Sequence, residues 1–229
     1  MKLTNKNMRK GFTLVELLVV IAIIAALAAM ATPVIMKQQK KAAMTTATSN
    51  AKQVFYLFID FDQEYGHFPD AADSAGLGGG GGSTANGVLR QLFLAGLTKS
   101  EEIFFAKASF SKKPDGDVGT ASGGYNTALD NGECGFVYMD DQSSGVNSAR
   151  PILAAPLLNN SSMQFDVDMY GGKAISLRVD GSVQQYRINE TNNQAVTKIG
   201  GTDVDIFSTQ NPAWQNGTPT PLYPSKKGN

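Results

Sequence analysis

From Phe12 to Ala31 the chain reads FTLVELLVVIAIIAALAAMA, apolar at almost every position yet carrying one acid, Glu16. Roughly 20 such residues are enough to cross a hydrocarbon core of about 30 Å as a helix. A secretory signal has a shorter apolar core, of about 7 to 15 residues, followed by a small-residue cleavage site. The segment is therefore expected to be retained. Lys2, Lys6, Arg9 and Lys10 precede it, and no basic residue follows until Lys37. That asymmetry predicts a cytoplasmic N-terminus, with everything after Lys37 on the far side of a single-pass anchor. An acid near the middle of a membrane helix costs on the order of 2.5 to 3.5 kcal/mol. Glu16 lies one turn from the apolar boundary, where snorkelling reduces that penalty. An ordinary signal anchor still gives it no purpose.

Gly11 stands directly before Phe12, so the stretch reads G-F-T-L-V-E-L-L after a basic leader. Together these residues resemble the class III signal of type IV prepilins and type II secretion prepseudopilins, over about the first 35 residues. The resemblance implies that a dedicated membrane aspartyl peptidase cuts after Gly11 and methylates the new amine on Phe12. It also implies that Glu16 pairs, in a filament, with the methylated amine of a neighbouring subunit. Pro33 falls twenty-two residues after the cut, where many type IV pilins carry a helix-kinking proline. The chemistry agrees with each role. Gly11 has no side chain to hinder approach to the backbone. An acid one turn inside a helix that starts at Phe12 lies at the favourable end of the helix dipole. A buried charge is far less unfavourable paired than alone. Pro33 lacks the N–H that the preceding turn needs and clashes with it.

Past Pro33 the pattern becomes amphipathic. Met44, Ala47, Ala51, Val54, Phe58, Phe61 and Tyr65 recur at spacings of three and four, with Lys37, Lys40, Lys41, Thr45, Thr48, Lys52 and Asp62 on the other side. Large aromatics gather at the C-terminal end of the stripe, which favours packing on a globular head over a free coiled coil. Gly66 and Pro69 stop the helix. Residues 12–65 then form one helix with its transmembrane half at 12–32, about 80 Å long if unbroken. Half in the membrane and half against a head, that length matches the lollipop plan of pilins. The QEYGHFPD junction resembles the helix exit of major type II pseudopilins.

The head is expected at 66–211 as an α+β domain, with an antiparallel β-sheet covering the aromatic end of the helix. A Gly-rich loop at 76–83 lacks the G-K-[ST] ending of a phosphate cradle and reads as a flexible connector. Val88, Leu89, Leu92 and Phe93 predict a short amphipathic helix ended by Gly96, and Ser100 predicts an N-capped turn over EEIFFA. Strand signals follow in ECGFVYM, RPILAAPLL and GKAISLRVDGSVQQYRIN, with a further strand at Asp203–Phe207. Asp180 and Gly181 mark a turn whose register stays open. A two-residue loop would put Tyr186 and Ile188 on the face of Ile175, Leu177 and Val179, and a bulged loop would put Val183 there. The tail, 212–229, holds four prolines and reads as extended or disordered, with Trp214 and Tyr223 as its candidate docking residues.

Chemistry is sparse. Cys134 is the sole cysteine, so no internal disulfide forms, and it reads as a small buried hydrophobe. The sole histidine, His67, reads as a surface or packing residue. Asp115 and Asp117, Asp140 and Asp141, Asp166 and Asp168, and Asp203 and Asp205 read as solvated loop acids. KKPDGDVG lacks the later ligands of an EF-hand loop. The D-P-W-G-N stretch near which major pseudopilins hold calcium is missing. No cofactor, metal site or catalytic set is expected, and the chain reads as a substrate of an enzyme in place of being one. Without its first eleven residues it holds 16 basic and 20 acidic residues, a net −4 that gives no reason to expect nucleic acid.

These readings describe a prepilin-type structural subunit of a type II secretion or type IV pilus filament, held in the inner membrane with a periplasmic head. Its expected partners are the prepilin peptidase, other copies or related pilin subunits, the inner-membrane assembly platform and the lipid bilayer. The helix exit and the lack of paired cysteines favour the secretion system. The alternative is a membrane-anchored periplasmic binding or adhesion domain that forms no filament.

Overall fold

A computed structural model describes residues 12–215 and 217–226. The leader, 1–11, with its expected cleavage residue Gly11, lies outside the described residues. The chain divides into two compact units, one ending at Gln39 and the other beginning at Lys40.

One helix, α1 (Leu14–Tyr65), contributes to both. Within the first unit it supplies an apolar stretch with mean hydropathy 2.8, and none of that window is buried by the rest of the protein. Leu17, Ile21, Ile24 and Leu27 are all exposed. A helix that is apolar on every side and uncovered by its own chain fits a single-pass membrane anchor. The helix starts at Leu14, two residues later than expected from Phe12. Pro33 lies inside it, with helical residues on both sides. Just before the proline, the Thr32 hydroxyl donates to the Ala28 carbonyl at 2.7 Å.

In the second unit the helical stripe meets its core. Met44, Ala47, Ala51, Val54, Phe58 and Phe61 are buried at the expected spacing of three and four, while Tyr65 is half-buried. Phe58 stacks on Phe68 with ring centres 5.3 Å apart and lies 5.5 Å from Tyr138. Each large side chain buried this way contributes about 1.5 to 3 kcal/mol. Gly66 ends the helix with φ +81°, a left-handed conformation open to glycine.

Seven antiparallel strands form one sheet: β1 (Val137–Met139), β2 (Pro151–Ala155), β3 (Lys173–Arg178), β4 (Val183–Asn189), β5 (Gln194–Ile199), β6 (Thr202–Asp205) and β7 (Pro221–Leu222). Their order is β6-β5-β4-β3-β2-β1-β7, a meander with the C-terminal strand returned to the far edge. Pairing of Leu177 with Val183 and Ala174 with Tyr186 settles the open register. Val183, and not Tyr186 or Ile188, shares the face of Ile175 and Leu177. That face, with Tyr138, Leu153 and Ala155, packs on α1. The opposite face is buried as well: Val137, Met139, Ala154, Ala174, Tyr186 and Ile188 pack against Phe165, Ile206, Phe207 and Trp214. The second unit thus has three layers, helix, sheet and a cover of loops and tail.

Several local expectations change. The predicted short helix is two pieces, α2 (Ala85–Leu89) and α3 (Gln91–Leu94), ended as expected before Gly96. Ser100 caps nothing: Glu102–Phe104 is a 3-10 turn preceded by Glu101, and the Ser100 N–H bonds the Thr98 hydroxyl. The Gly-rich loop is packed in place of free. A side chain on Gly80 would strike Gln91, and the Gly81 and Gly82 N–H groups donate to the Gly87 and Ala71 carbonyls. Strand β5 went unexpected. The tail docks through Trp214, β7 and Tyr223, the last bridged to Thr84.

Candidate processing and assembly site

The segment around Glu16 is built by one local motif. Thr13, just ahead of the helix, and Glu16, its third residue, bond each other in both directions. The Thr13 N–H donates to Glu16 Oε2 at 2.9 Å, and the Thr13 hydroxyl donates to the same oxygen at 2.7 Å. In return the Glu16 N–H donates to Thr13 Oγ1 at 3.3 Å. This is the reciprocal capping box of a T-x-x-E sequence, which satisfies backbone donors that a helix start leaves without partners. In a medium without water that satisfaction matters more, because an unpaired N–H is strongly unfavourable there. Both bonds to the carboxylate fall on Oε2, and Oε1 takes none among the described residues. The carboxylate therefore has an in-chain role and an oxygen left to accept another donor. The sequence carried the signal in the Thr13–Glu16 spacing, although the acid there was considered only against the dipole and a neighbour's amine. Phe12 precedes this cap with its side chain exposed, and Pro33 stands seventeen residues beyond Glu16 in the same helix.

In the head, the titratable groups that come together are Asp115, expected as a solvated loop acid, and two glutamates that the sequence did not single out. Glu101, Asp115 and Glu133 each bring a carboxylate oxygen within 4.8 Å of the others, and Glu101 and Glu133 are fully buried. Both oxygens of each buried glutamate are already in use. Glu101 accepts from the N–H groups of Leu129 at 2.7 Å and Gly116 at 3.0 Å. Glu133 accepts from the N–H of Asp130 at 2.7 Å, from that of Asp115 at 3.2 Å, and from Lys112 Nζ at 3.2 Å. Burial pushes the Glu101 carboxyl above its ordinary range, opposed by the Leu129 N–H and reinforced by the nearby Glu133 charge. Glu133 and Asp115 in turn raise Lys112. This arrangement ties three loops together through backbone donors. Asp117, expected in solvent, bonds the Gly119 N–H instead of joining the cluster.

The remaining candidates are scattered. Asp203 pairs with Arg187, Asp168 with Lys40, and Asp140 accepts the Ala71 N–H. Cys134 is buried and its thiol is pushed up to about 12 by desolvation, so it packs in place of reacting. His67 bonds the Phe68 carbonyl and sets its edge on Phe61, with ring centres 6.0 Å apart. A pocket of about 480 Å³ beside α2 is polar, lined by Thr84, Asn86, Arg90, Lys112, Asp130 and Ser225.

Comparison with known families finds one match: residues 6–32 fit the prokaryotic N-terminal methylation motif. No curated protein and no solved structure matches the chain. The match covers Gly11, Phe12, Thr13 and Glu16, and the chain thus carries a type IV pilin-like prepilin signal. That motif belongs to structural subunits processed by a prepilin peptidase and assembled with other pilin subunits. A long apolar N-terminal helix followed by an antiparallel sheet is consistent with a pilin-like fold.

Proposed function

We propose that the chain is a filament subunit of a type II secretion or type IV pilus system, cut after Gly11, methylated on Phe12 and held in the inner membrane before assembly. The observation that carries this reading is a methylation motif at 6–32 leading into a helix whose apolar surface its own chain leaves uncovered. The basic leader supports a head on the periplasmic side. The QEYGHFPD helix exit and the single cysteine favour type II secretion over a pilus. Pro33 gives the membrane helix a point at which it bends during entry into the filament.

Glu16 acts twice in this scheme. Through Oε2 it caps its own helix, and through Oε1 it accepts the methylated amine of a neighbour. The roles separate by mutation. Thr13→Ala removes the two hydroxyl bonds of the cap and keeps the charge, so subunits enter filaments with a weakened helix start. Glu16→Gln keeps an oxygen for the cap and removes the charge, so membrane insertion and cleavage persist while filament entry fails. Gly11→Val blocks cleavage itself. Mass spectrometry of the mature membrane form is the deciding measurement, with N-methylphenylalanine at Phe12 as the expected terminus. An intact Met1 would sink the filament reading in favour of an anchored binding domain.

A further inference from the structure

Between α1 and the loop after Glu101, the second unit has a cleft of about 390 Å³. Asn50 builds it. Its Nδ2 donates to the Glu102 carbonyl at 2.9 Å and to the Phe105 carbonyl at 2.8 Å, which ties the loop to the helix. Ala43, Ala47, Phe105 and Pro114 give the cleft an apolar lining, and Lys107, Lys113 and Glu102 give it charge. These three charged residues are exposed, and none has an ion-pair partner among the described residues. Asn50 Oδ1 and the Thr46 hydroxyl, which also line the cleft, take no hydrogen bond among those residues. The Asn50 amide is thus half used in building the cleft and half free to meet a ligand.

We infer that this cleft holds the headgroup of an anionic phospholipid that carries free hydroxyls, phosphatidylglycerol being the simplest. Two bases less one acid leave the lining at +1, the match for the single negative charge of a phosphodiester. Lys107 and Lys113 donate charge-assisted hydrogen bonds to the phosphate oxygens. The headgroup hydroxyls meet acceptors in Asn50 Oδ1 and the Glu102 carboxylate, and a donor in Thr46. Glu102 also repels a headgroup of higher negative charge, which makes it the selective element. A soluble anion has no use for the apolar lining, and a neutral lipid leaves two lysines unmatched. Lipid is supplied by the chain's own anchor: exposed apolar residues of α1 continue to Met36, seven positions before Ala43. Seven residues measure at most about 25 Å even when fully extended, so the cleft stays near the leaflet that the helix leaves. Lys37 and Lys41, exposed in the interval, add attraction for an anionic surface. The inference rests on the membrane-anchor part of the proposed function and is independent of filament formation.

Native mass spectrometry of the full-length chain tests this. The chain is released from vesicles of equal parts phosphatidylglycerol, phosphatidylcholine and phosphatidic acid, and the lipid retained by each chain is identified. Phosphatidylglycerol is expected, about fivefold over either competitor, and Lys107→Gln with Lys113→Gln is expected to lower it roughly tenfold, the scale of two lysines facing an anionic headgroup. Lys41→Gln with Lys52→Gln removes as much charge outside the cleft and should leave retention nearly unchanged. Glu102→Gln raises the lining to +2 and should move the preference toward phosphatidic acid. Thermal melting of each variant should stay near the unaltered protein, because these side chains make no bonds in their own head. Equal losses from the two lysine pairs mean diffuse surface attraction and overturn the inference. So do an unchanged preference in Glu102→Gln, displacement of the lipid by equimolar glycerol 3-phosphate, and retention of a second copy of the chain in place of lipid. A chain that does not enter vesicles overturns the anchor reading instead. The cleft is then decided by titrating phosphatidylglycerol into detergent micelles: binding lost in Lys107→Gln with Lys113→Gln supports it, and binding unchanged refutes it.

Discussion

Glu101 and Glu133 show what a carboxylate does when it is buried beside backbone donors. Glu101 holds Leu129 and Gly116, residues 28 and 15 positions away, by their N–H groups. Removing it in Glu101→Ala leaves two donors unsatisfied, each a loss of about 1 to 3 kcal/mol. Denaturant unfolding of the full-length chain should register that loss. Its acidity adds a pH dependence. Burial raises the folded carboxyl above its ordinary value of 4.5, so the unfolded chain releases this proton first as pH rises. The raised carboxyl makes stability decline as pH climbs from 4.5 through the folded value, and returning toward pH 5 relieves the penalty. Relative to Glu101→Gln, the unaltered protein should gain stability on going from pH 7 to pH 5; a constant difference would contradict the assignment. Cys134 is the converse case, neutral and silent: with its thiol pushed up to about 12, a thiol reagent at pH 8 should label it only after denaturant is added. The capping box was written in four adjacent letters of sequence, Thr13 to Glu16. Glu101 was not legible, because its partners are backbone groups brought in by loop closure, and backbone groups leave no mark on composition.

At the level of elements, periodicity served where one face is buried. The stripe Met44, Ala47, Ala51, Val54, Phe58 and Phe61 was readable because α1 meets the sheet along a single line. Strand β5 was missed for the opposite reason: QAVTKI is short and lies near a sheet edge, and only the turn signals around it, Asn192–Asn193 and Gly200–Gly201, enclose it. Register in the β3–β4 hairpin needed the structure, since either loop length buried something apolar. The loop that was used brings Gly181 against α1. It has φ +78°, and a methyl group there would meet the Phe55 ring at 2.5 Å. Gly181→Ala therefore combines backbone strain with overpacking, together about 2 to 4 kcal/mol. A lowered thermal midpoint checks it. The next residue gives no relief, for the Ser182 N–H is already held by the Asp180 side chain at 2.8 Å, which fixes the turn on both sides of the glycine.

Taken as a whole, the second unit buries the centre of its sheet, β1 to β3, on both faces. Antiparallel sheets often leave one face wet, and β4 does so at Gln185 and Arg187. Part of the cover on the second face comes from the segment expected to be extended or disordered. Trp214 is 2% exposed, donates its indole N–H to the Ile206 carbonyl at 2.9 Å, and lies under the Arg150 guanidinium, 5.4 Å from the ring centre. Beyond it, β7 pairs with β1, and the Ser225 N–H reaches the Asn86 side chain at 2.7 Å. Composition concealed this because proline and polar residues dominate the tail, while a few anchors do the docking. Deleting residues 212–229 should uncover Phe165 and Phe207 and leave β1 as an open edge, which invites association between strands. Trp214→Ala alone should lower stability by about 3 to 5 kcal/mol, and the full deletion by more, with aggregation on warming. Trp214 is the only tryptophan, so its emission reports the docked tail directly. Blue-shifted emission in the native protein, moving to the red in step with loss of the fold, is the expected course; red emission before unfolding would mean that the tail is not part of the core.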